Sequence, residues 1–396
     1  MAVLDGIVVL DLSRLIAGPY AAMVLADLGA RVIKVETLSG EEGRYFGPPF
    51  FDGTAALFHA NNRGKESISL DFRTPAGRVI LDKLIARSHV VVHNFRPDFL
   101  EKFRLGYENL RAINPEIIYY AVSSFGSDTP YALKPAVDGV VQGYAGAFYA
   151  SGQASDMPYR IGVPIVDVAS GMCGALGILA AIMAWQQTGR GQQVELALID
   201  TMFNFMTGKV AEAVIDKHEP LRELNLPIAV PSRHFQGADG RWFSVSVVND
   251  AAFVRFCDVI EHPELARDAR FAGISARISH RHELLDILPG IFACQPASEW
   301  LNRFERADIP AGPINTVSQA MADPVLAGRW TGHAGLPGLP QIPFPAQLTH
   351  GMRPLADMAP APRLAQHTAS IMSELGYSTV QLASLIEGRV IRTDAG

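Results

Sequence analysis

Cysteine is scarce. Cys173, Cys257 and Cys294 are odd in number and far apart in 396 residues, which excludes a disulfide framework or a thiolate metal cage and points to a reducing compartment. Charge is also sparse, with charged residues at 19% and a formal net charge of −6. A chain without a basic excess does not hold nucleic acid by broad phosphate neutralisation, although a local basic pocket stays open. No basic start and apolar stretch of a secretory signal precedes the strand-like Ile7–Leu12, so the cytosol is the default location. The single long apolar run, Met172–Trp185, is shorter than the roughly 20 residues a bilayer requires. Pro164, Asp167 and Ser170 break up the stretch before it, so a buried core helix is expected and no membrane partner.

Several motifs are missing as well. The loop Ser13–Pro19 holds one glycine, not the three of a dinucleotide fingerprint, which argues against NAD or FAD. There is no Gly-x4-Gly-Lys phosphate loop, and the nearest approach to a nucleophile elbow, Ala169-Ser-Gly171, lacks its first glycine. His280-Arg-His-Glu283 has no third ligand at a defined spacing, so no metal is expected and a polar surface helix is the simpler reading.

What is present suits a globular chain of about two domains: hydrophobic residues make up 48%, with 35 Gly and 26 Pro. Ile7–Leu12, a helix over Pro19–Leu28 closed by Gly29, and Arg31–Glu36 form a βαβ unit. A helix over 75–86 and strands at His89–His93, Glu116–Val122 and Gln193–Leu198 continue the alternation, which predicts a parallel sheet covered by helices. Asp239-Gly240 turns a hairpin within His234–Val247, after which the chain reads as a smaller α+β piece. Residues 1–215 are assigned to the large domain, 216–315 to the small one, and 316–396 to a Pro- and Gly-rich linker and a return to the large domain with a helix near 366–375.

Two features have two readings each. Arg63, Lys65, Arg73, Arg96, Lys102 and Arg104 are either a solvated face or a pocket for a phosphorylated ligand at strand ends. Asp167, among apolar neighbours just before an apolar helix, either caps that helix or is a poorly solvated, reactive carboxylate.

Leu4–Ser13, Ala17-Gly-Pro19, Leu25–Glu36, Asn62-Arg-Gly-Lys65, Asn94-Phe-Arg-Pro97, Thr188–Gln192, Ile309–Asn315, Gln366-His-Thr368 and Glu374–Tyr377 together resemble the class III CoA transferases, a family that includes formyl-CoA, carnitine and itaconate- or mesaconate-type enzymes. The resemblance implies an α/β fold: a Rossmann-like large domain with a parallel sheet, a smaller domain, and two chains interlocked as a homodimer. It implies CoA transfer from an acyl-CoA donor to a free carboxylic acid through an aspartyl-CoA thioester on Asp167, with Asp138 as a second acidic group. It also implies CoA contacts at Ile16, Ala17, Leu70, Arg73, Asn94, Phe95, Arg96 and Lys102. CoA is then a substrate, and no cofactor is tightly bound.

A short, dicarboxylic acceptor is expected, with Arg44 or Arg233 as a fork for its distal carboxylate and His234 approaching the acyl group from the partner chain. The alternative, an α-methylacyl-CoA racemase, needs a histidine where this chain has Val137. A noncatalytic CoA-binding module is the third reading.

Overall fold

The computed structural model describes residues 2–150, 152, 157–217, 229–333, 336–346, 348–352 and 354–394. Two compact units emerge, one from 1–147, 160–211 and 329–396, the other from 148–159 and 212–328. The insertion of 148–159 into the second unit has no compositional signal in the sequence.

In the first unit, β1 (Val8–Asp11), α1 (Ala17–Asp27) and β2 (Arg31–Glu36) form the expected βαβ unit. β3 (Lys65–Leu70), α2 (Pro75–Ala86), β4 (Val90–His93), β5 (Ile118–Ser123), α3 (Asp138–Tyr144), α4 (Ile165–Thr188) and β6 (Gln193–Ala197) follow. The strands lie in the order β3-β2-β1-β4-β5-β6, all parallel, and a short strand, Ile391–Arg392, runs antiparallel beside β3. This is the doubly wound order, in which the direction of winding reverses between β1 and β4.

Both faces are covered, which explains the apolar runs in the strands. On one face Val9, Val32, Val90 and Tyr120 pack against α1 and α4 through Val24, Leu25, Ile178 and Ile182. On the other, Leu10, Ile33, Ile68 and Val91 pack against α2 and the helix Thr368–Glu374 through Ile80, Leu84, Ile371 and Met372. The C-terminal segment thus completes the core that the N-terminal segment begins.

α4 is long and apolar enough to cross a bilayer, yet Val166, Ala169, Ala175, Ile178 and Ile182 are buried within this unit. It meets α1 at Gly171, where a β-carbon would stand 2.9 Å from both the Ala17 carbonyl oxygen and the Tyr20 β-carbon. Gly171→Ala is therefore expected to push the helices apart at a cost of about 1–3 kcal/mol, read as a lower thermal midpoint. Because Ala17 and Asp167 line one cavity, activity should fall with it.

In the second unit, β7 (Ser232–Gln236), β8 (Trp242–Ser246) and β9 (Ala311–Pro313) make an antiparallel sheet. Gly240, with φ +73°, sits in its hairpin turn. The sheet packs on helices through Phe235, Phe243, Phe256, Phe292 and Phe304. Arg277 is fully buried here, held by the Val230 and Phe271 carbonyls and Asp250. His280 pairs with Glu283 on the surface, as a polar helix would have it.

Candidate active site

Loops leaving the carboxyl ends of β1 and β4 face each other where the sheet's winding reverses. Asn94 joins them: its side chain accepts from the Arg14 backbone N–H at 3.0 Å and donates to the Arg14 carbonyl at 2.8 Å. Beneath the first loop lies a wholly buried ionic cluster. Lys34 donates to the Ser13 carbonyl and pairs with Glu41 at 3.1 Å. Lys65 donates to Asp11, the Pro19 carbonyl and Asn62, at 2.8, 2.8 and 2.9 Å. Burial alone would raise the Asp11 carboxyl, but Lys34, Lys65 and Ser13 together draw it down to about 2. Leu15, at the turn of the loop, has φ +67°, a left-handed conformation that leucine adopts at a cost. Its N–H is held by Glu41 at 2.9 Å.

Between these loops and the start of α4 lies a cavity of about 270 Å³, lined by Arg14, Ile16, Ala17, Phe95, Val137 and Asp167 among others. Arg14, Leu15, Asn94, Phe95 and Arg96 also wall a second cavity of about 610 Å³, where Arg73 and Lys102 join them. Asp167 is therefore in one cavity, which shares Arg14 and Arg96 with its neighbour. Arg73 and Arg96 are exposed and, among the described residues, pair with local partners, Asp71 and Asp98, which hold exposed charges weakly.

Asp167 occupies the first turn of α4, but it does not cap it. Asp138 does: one of its oxygens accepts from the Val166 and Asp167 N–H groups at 2.8 and 3.3 Å, satisfying donors that a helix start leaves free. The Asp167 carboxylate has no hydrogen-bond or ion-pair partner among the described residues. Burial, and then the charge of Asp138, push its pKa up to about 7.

The expected site residues divide. Ile16, Ala17, Asn94, Phe95 and Arg96 meet Asp167 in one cavity, and Arg73 and Lys102 stand in the adjoining one. Asp138 lies behind the helix start, 7% exposed, and lines neither cavity. Leu70 is a correction: its side chain is fully buried in the core, because β3 is an inner strand once Ile391 pairs with Leu70.

Arg44 is a second correction. Its guanidinium grips both oxygens of Glu36 at 2.7 Å, donates to the Pro362 carbonyl and stacks 3.8 Å from the Phe58 ring centre, so it has no fork to offer a substrate. Among the downstream basic residues, Arg63 is buried on Asp27 and Lys65 on Asp11, which makes them structural. Arg104 ends a helix with φ +51°. Arg233 and His234 lie on β7 of the second unit, His234 edge-on to Trp242 at 5.4 Å.

Sequence reasoning missed two cations in the Asp167 cavity, Arg14 and Lys134. Arg14 was readable, since it stands in the same loop as Ile16 and Ala17. Lys134 was not: it lies in an irregular stretch and is placed by the rings of Tyr131 and Tyr144, 5.0 and 4.7 Å away. No His, Cys, Asp or Glu group that could hold a metal converges among the described residues.

The pattern of CoA-transferase family III matches residues 4–368. The chain is 34% identical to a succinate–glutarate CoA-transferase of Agrobacterium fabrum over 94% of this chain and 95% of that protein. It is also 34% identical to a succinyl-CoA:mesaconate CoA-transferase of Haloarcula hispanica, over 96% and 98%. The crystal structure of a CAIB/BAIF family protein from Brucella suis superposes with a TM-score of 0.85 at 35% identity, covering 94% of this chain and 99% of that one. With its parallel sheet, its adjoining cavities and the Asp167 carboxylate in one of them, this chain is an enzyme of CoA-transferase family III.

Proposed function

We propose that the enzyme moves CoA from succinyl-CoA, or a donor like it, to a short dicarboxylic acid through an aspartyl-CoA thioester on Asp167. The observation that carries this is the unpartnered, poorly solvated Asp167 carboxylate in a cavity that opens onto Arg73, Arg96 and Lys102. The cations suit the phosphates of CoA, and the carboxylate suits attack on its thioester. The relatives' diacid activities support the choice of acceptor.

The reaction balances without any other reagent. An Asp167 oxygen attacks the thioester carbonyl, the C–S bond breaks, and CoA thiolate leaves behind a mixed anhydride. The thiolate then attacks the Asp167 carbonyl carbon and releases the donor acid as its carboxylate. The acceptor carboxylate attacks the resulting aspartyl thioester, and the thiolate returns to the acceptor's carbonyl, freeing Asp167. Both intermediates hydrolyse readily, so excluding water matters as much as orientation.

Val137 lines the cavity and moves no proton, which favours transfer over the racemase reading. A second copy of the chain is part of the proposal: α4 leaves Leu176 and Met183 exposed, and Phe203 and Phe205 of the same unit follow suit, large apolar side chains that a partner would cover. Arg233 and His234 are proposed to serve the acyl group from that copy. Three free cysteines support a reducing, cytosolic setting.

Mass spectrometry after incubation with succinyl-CoA and trapping with hydroxylamine tests the reading. A modification confined to Asp167 is expected, and its rate should climb as pH rises through about 7, as the attacking carboxylate ionises. Absence of any adduct across several acyl-CoAs would overturn it.

The cations make a separate prediction. Replacing both Arg73 and Arg96 by Met should raise KM for succinyl-CoA about tenfold, on the order of 1.4 kcal/mol, and leave KM for the acid acceptor nearly unchanged. The penalty should shrink in high salt and with a dephospho-CoA thioester. Equal penalties for both CoA forms would place the phosphates elsewhere.

A further inference from the structure

We infer that Gln142 is a positioning residue for the nucleophile: from α3 it ties the Asp138 carboxylate to the backbone of Ile161, so that the segment entering α4 is held at both ends. The inference rests on Asp167 being the nucleophile.

Gln142 is fully buried and does not line the Asp167 cavity, so it touches no substrate there. Its Nε2 donates to one Asp138 oxygen at 2.6 Å, and its Oε1 accepts from the Ile161 N–H at 2.9 Å. The other Asp138 oxygen takes the N–H groups of Val166 and Asp167. A carboxylate accepts only, so the amide must present its nitrogen to Asp138 and its oxygen to Ile161, and the side chain has a single orientation.

The residues between the two anchors include Gly162, where a β-carbon would meet nothing within 4 Å, and glycine contributes no stiffness of its own. The geometry of the Asp167 carboxylate is therefore inherited from α3 through this amide.

Other charged or titratable groups surround Asp167. Arg14, Arg96 and Lys134 share its cavity, α1 presents Tyr20 to Gly171, and Tyr120 of β5 is buried in the layer packed on α4. Asp138 is the one whose charge bears on Asp167.

The test compares the pH dependence of succinyl-CoA-driven labelling of Asp167 in wild type, Gln142→Leu and Gln142→Glu, with thermal midpoints recorded for each. Leucine keeps the volume and removes both hydrogen bonds. Asp138 then loses its tether to Ile161, and the Asp167 carboxylate it positions is expected to be misplaced. kcat should drop about tenfold while KM for succinyl-CoA holds. Glutamate keeps the acceptor for Ile161 but adds a negative charge, so its midpoint is expected to rise.

A loss of kcat at unchanged KM, with the midpoint raised in the glutamate variant, is a signature that mere loosening of the fold does not produce. Should one variant fail to fold, the kcat and KM of the other decide. Unchanged kcat in folded variants, with lower melting alone, would overturn the inference and leave the transferase reading standing. A wild type that is never labelled at Asp167 would overturn both.

Discussion

Asp167→Ala is expected to abolish CoA transfer, lowering kcat by about 10⁴-fold or more, and at the same time to make the protein harder to unfold at alkaline pH. The first effect follows from the proposed chemistry: without the carboxylate there is neither anhydride nor thioester, and direct exchange between two carboxylate-bearing substrates has no covalent route. The second follows from the same burial. In the folded enzyme the Asp167 pKa is pushed up from 3.8 to about 7, chiefly by desolvation and then by Asp138. A raised pKa means that the native state favours the neutral acid. The stability this brings is complete below about pH 4 and is lost as pH rises through 7, where the folded protein must carry a charge that water would hold more cheaply. Alanine avoids that cost. The variant should melt a few degrees above wild type at pH 8.5, and the gap should narrow at pH 5 and close only below about pH 4. Equal melting at both pH values would mean that Asp167 is well solvated, which would weaken its case as a nucleophile.

Such a trade of stability for reactivity also shows how far the sequence could be read. The βαβ opening, the helix over 75–86 and the hairpin near Asp239-Gly240 were legible because apolar period and turn residues agree with the final structure. β3 was not. Lys65-Glu-Ser-Ile-Ser-Leu70 has two large apolar residues, and the alternation in Ser67-Ile-Ser-Leu70 is too brief to read as a strand buried on both faces. It is an inner strand because Lys65, Ser67 and Ser69 find buried partners in Asp11, Glu36 and the Thr37 carbonyl, contacts that lie far off in the chain. The same blindness placed Leu70 at a ligand and left Arg44 free: each depends on a neighbour brought by the fold, Ile391 for one and Glu36 for the other.

The division of labour between the two aspartates was half legible. Local context made Asp167 either a cap or a nucleophile, and no local signal says that a residue 29 positions earlier, Asp138, takes the cap. Once it does, the alternatives separate, because a carboxylate relieved of capping is available for chemistry. The cationic cavity was legible in outline through Arg73, Arg96 and Lys102, although periodicity and spacing could not tell these from Arg63 and Lys65, which face inward.

Those inward-facing cations carry the second large effect. Lys65→Met is expected to destabilise the enzyme by about 3–5 kcal/mol, the usual cost of removing one partner from a buried ion pair. Methionine fills the volume but leaves the Pro19 carbonyl and the Asn62 side-chain oxygen without their donor, and leaves Asp11 with Lys34 as its remaining cation, 3.7 Å away. Because Asp11 also fixes Ser13, at 2.9 Å through the backbone N–H, the damage should reach the Ser13–Pro19 loop and raise KM for succinyl-CoA beyond what a global loss of stability explains. The double variant Asp11→Asn, Lys65→Met separates a charge imbalance from a packing defect. If the unpaired carboxylate is the main cost, the double variant should recover part of the lost melting temperature, a coupling of about 1–3 kcal/mol. A double variant that melts at the sum of the two single losses would show that the cluster acts as separate contacts and does not hold the substrate loop as one unit.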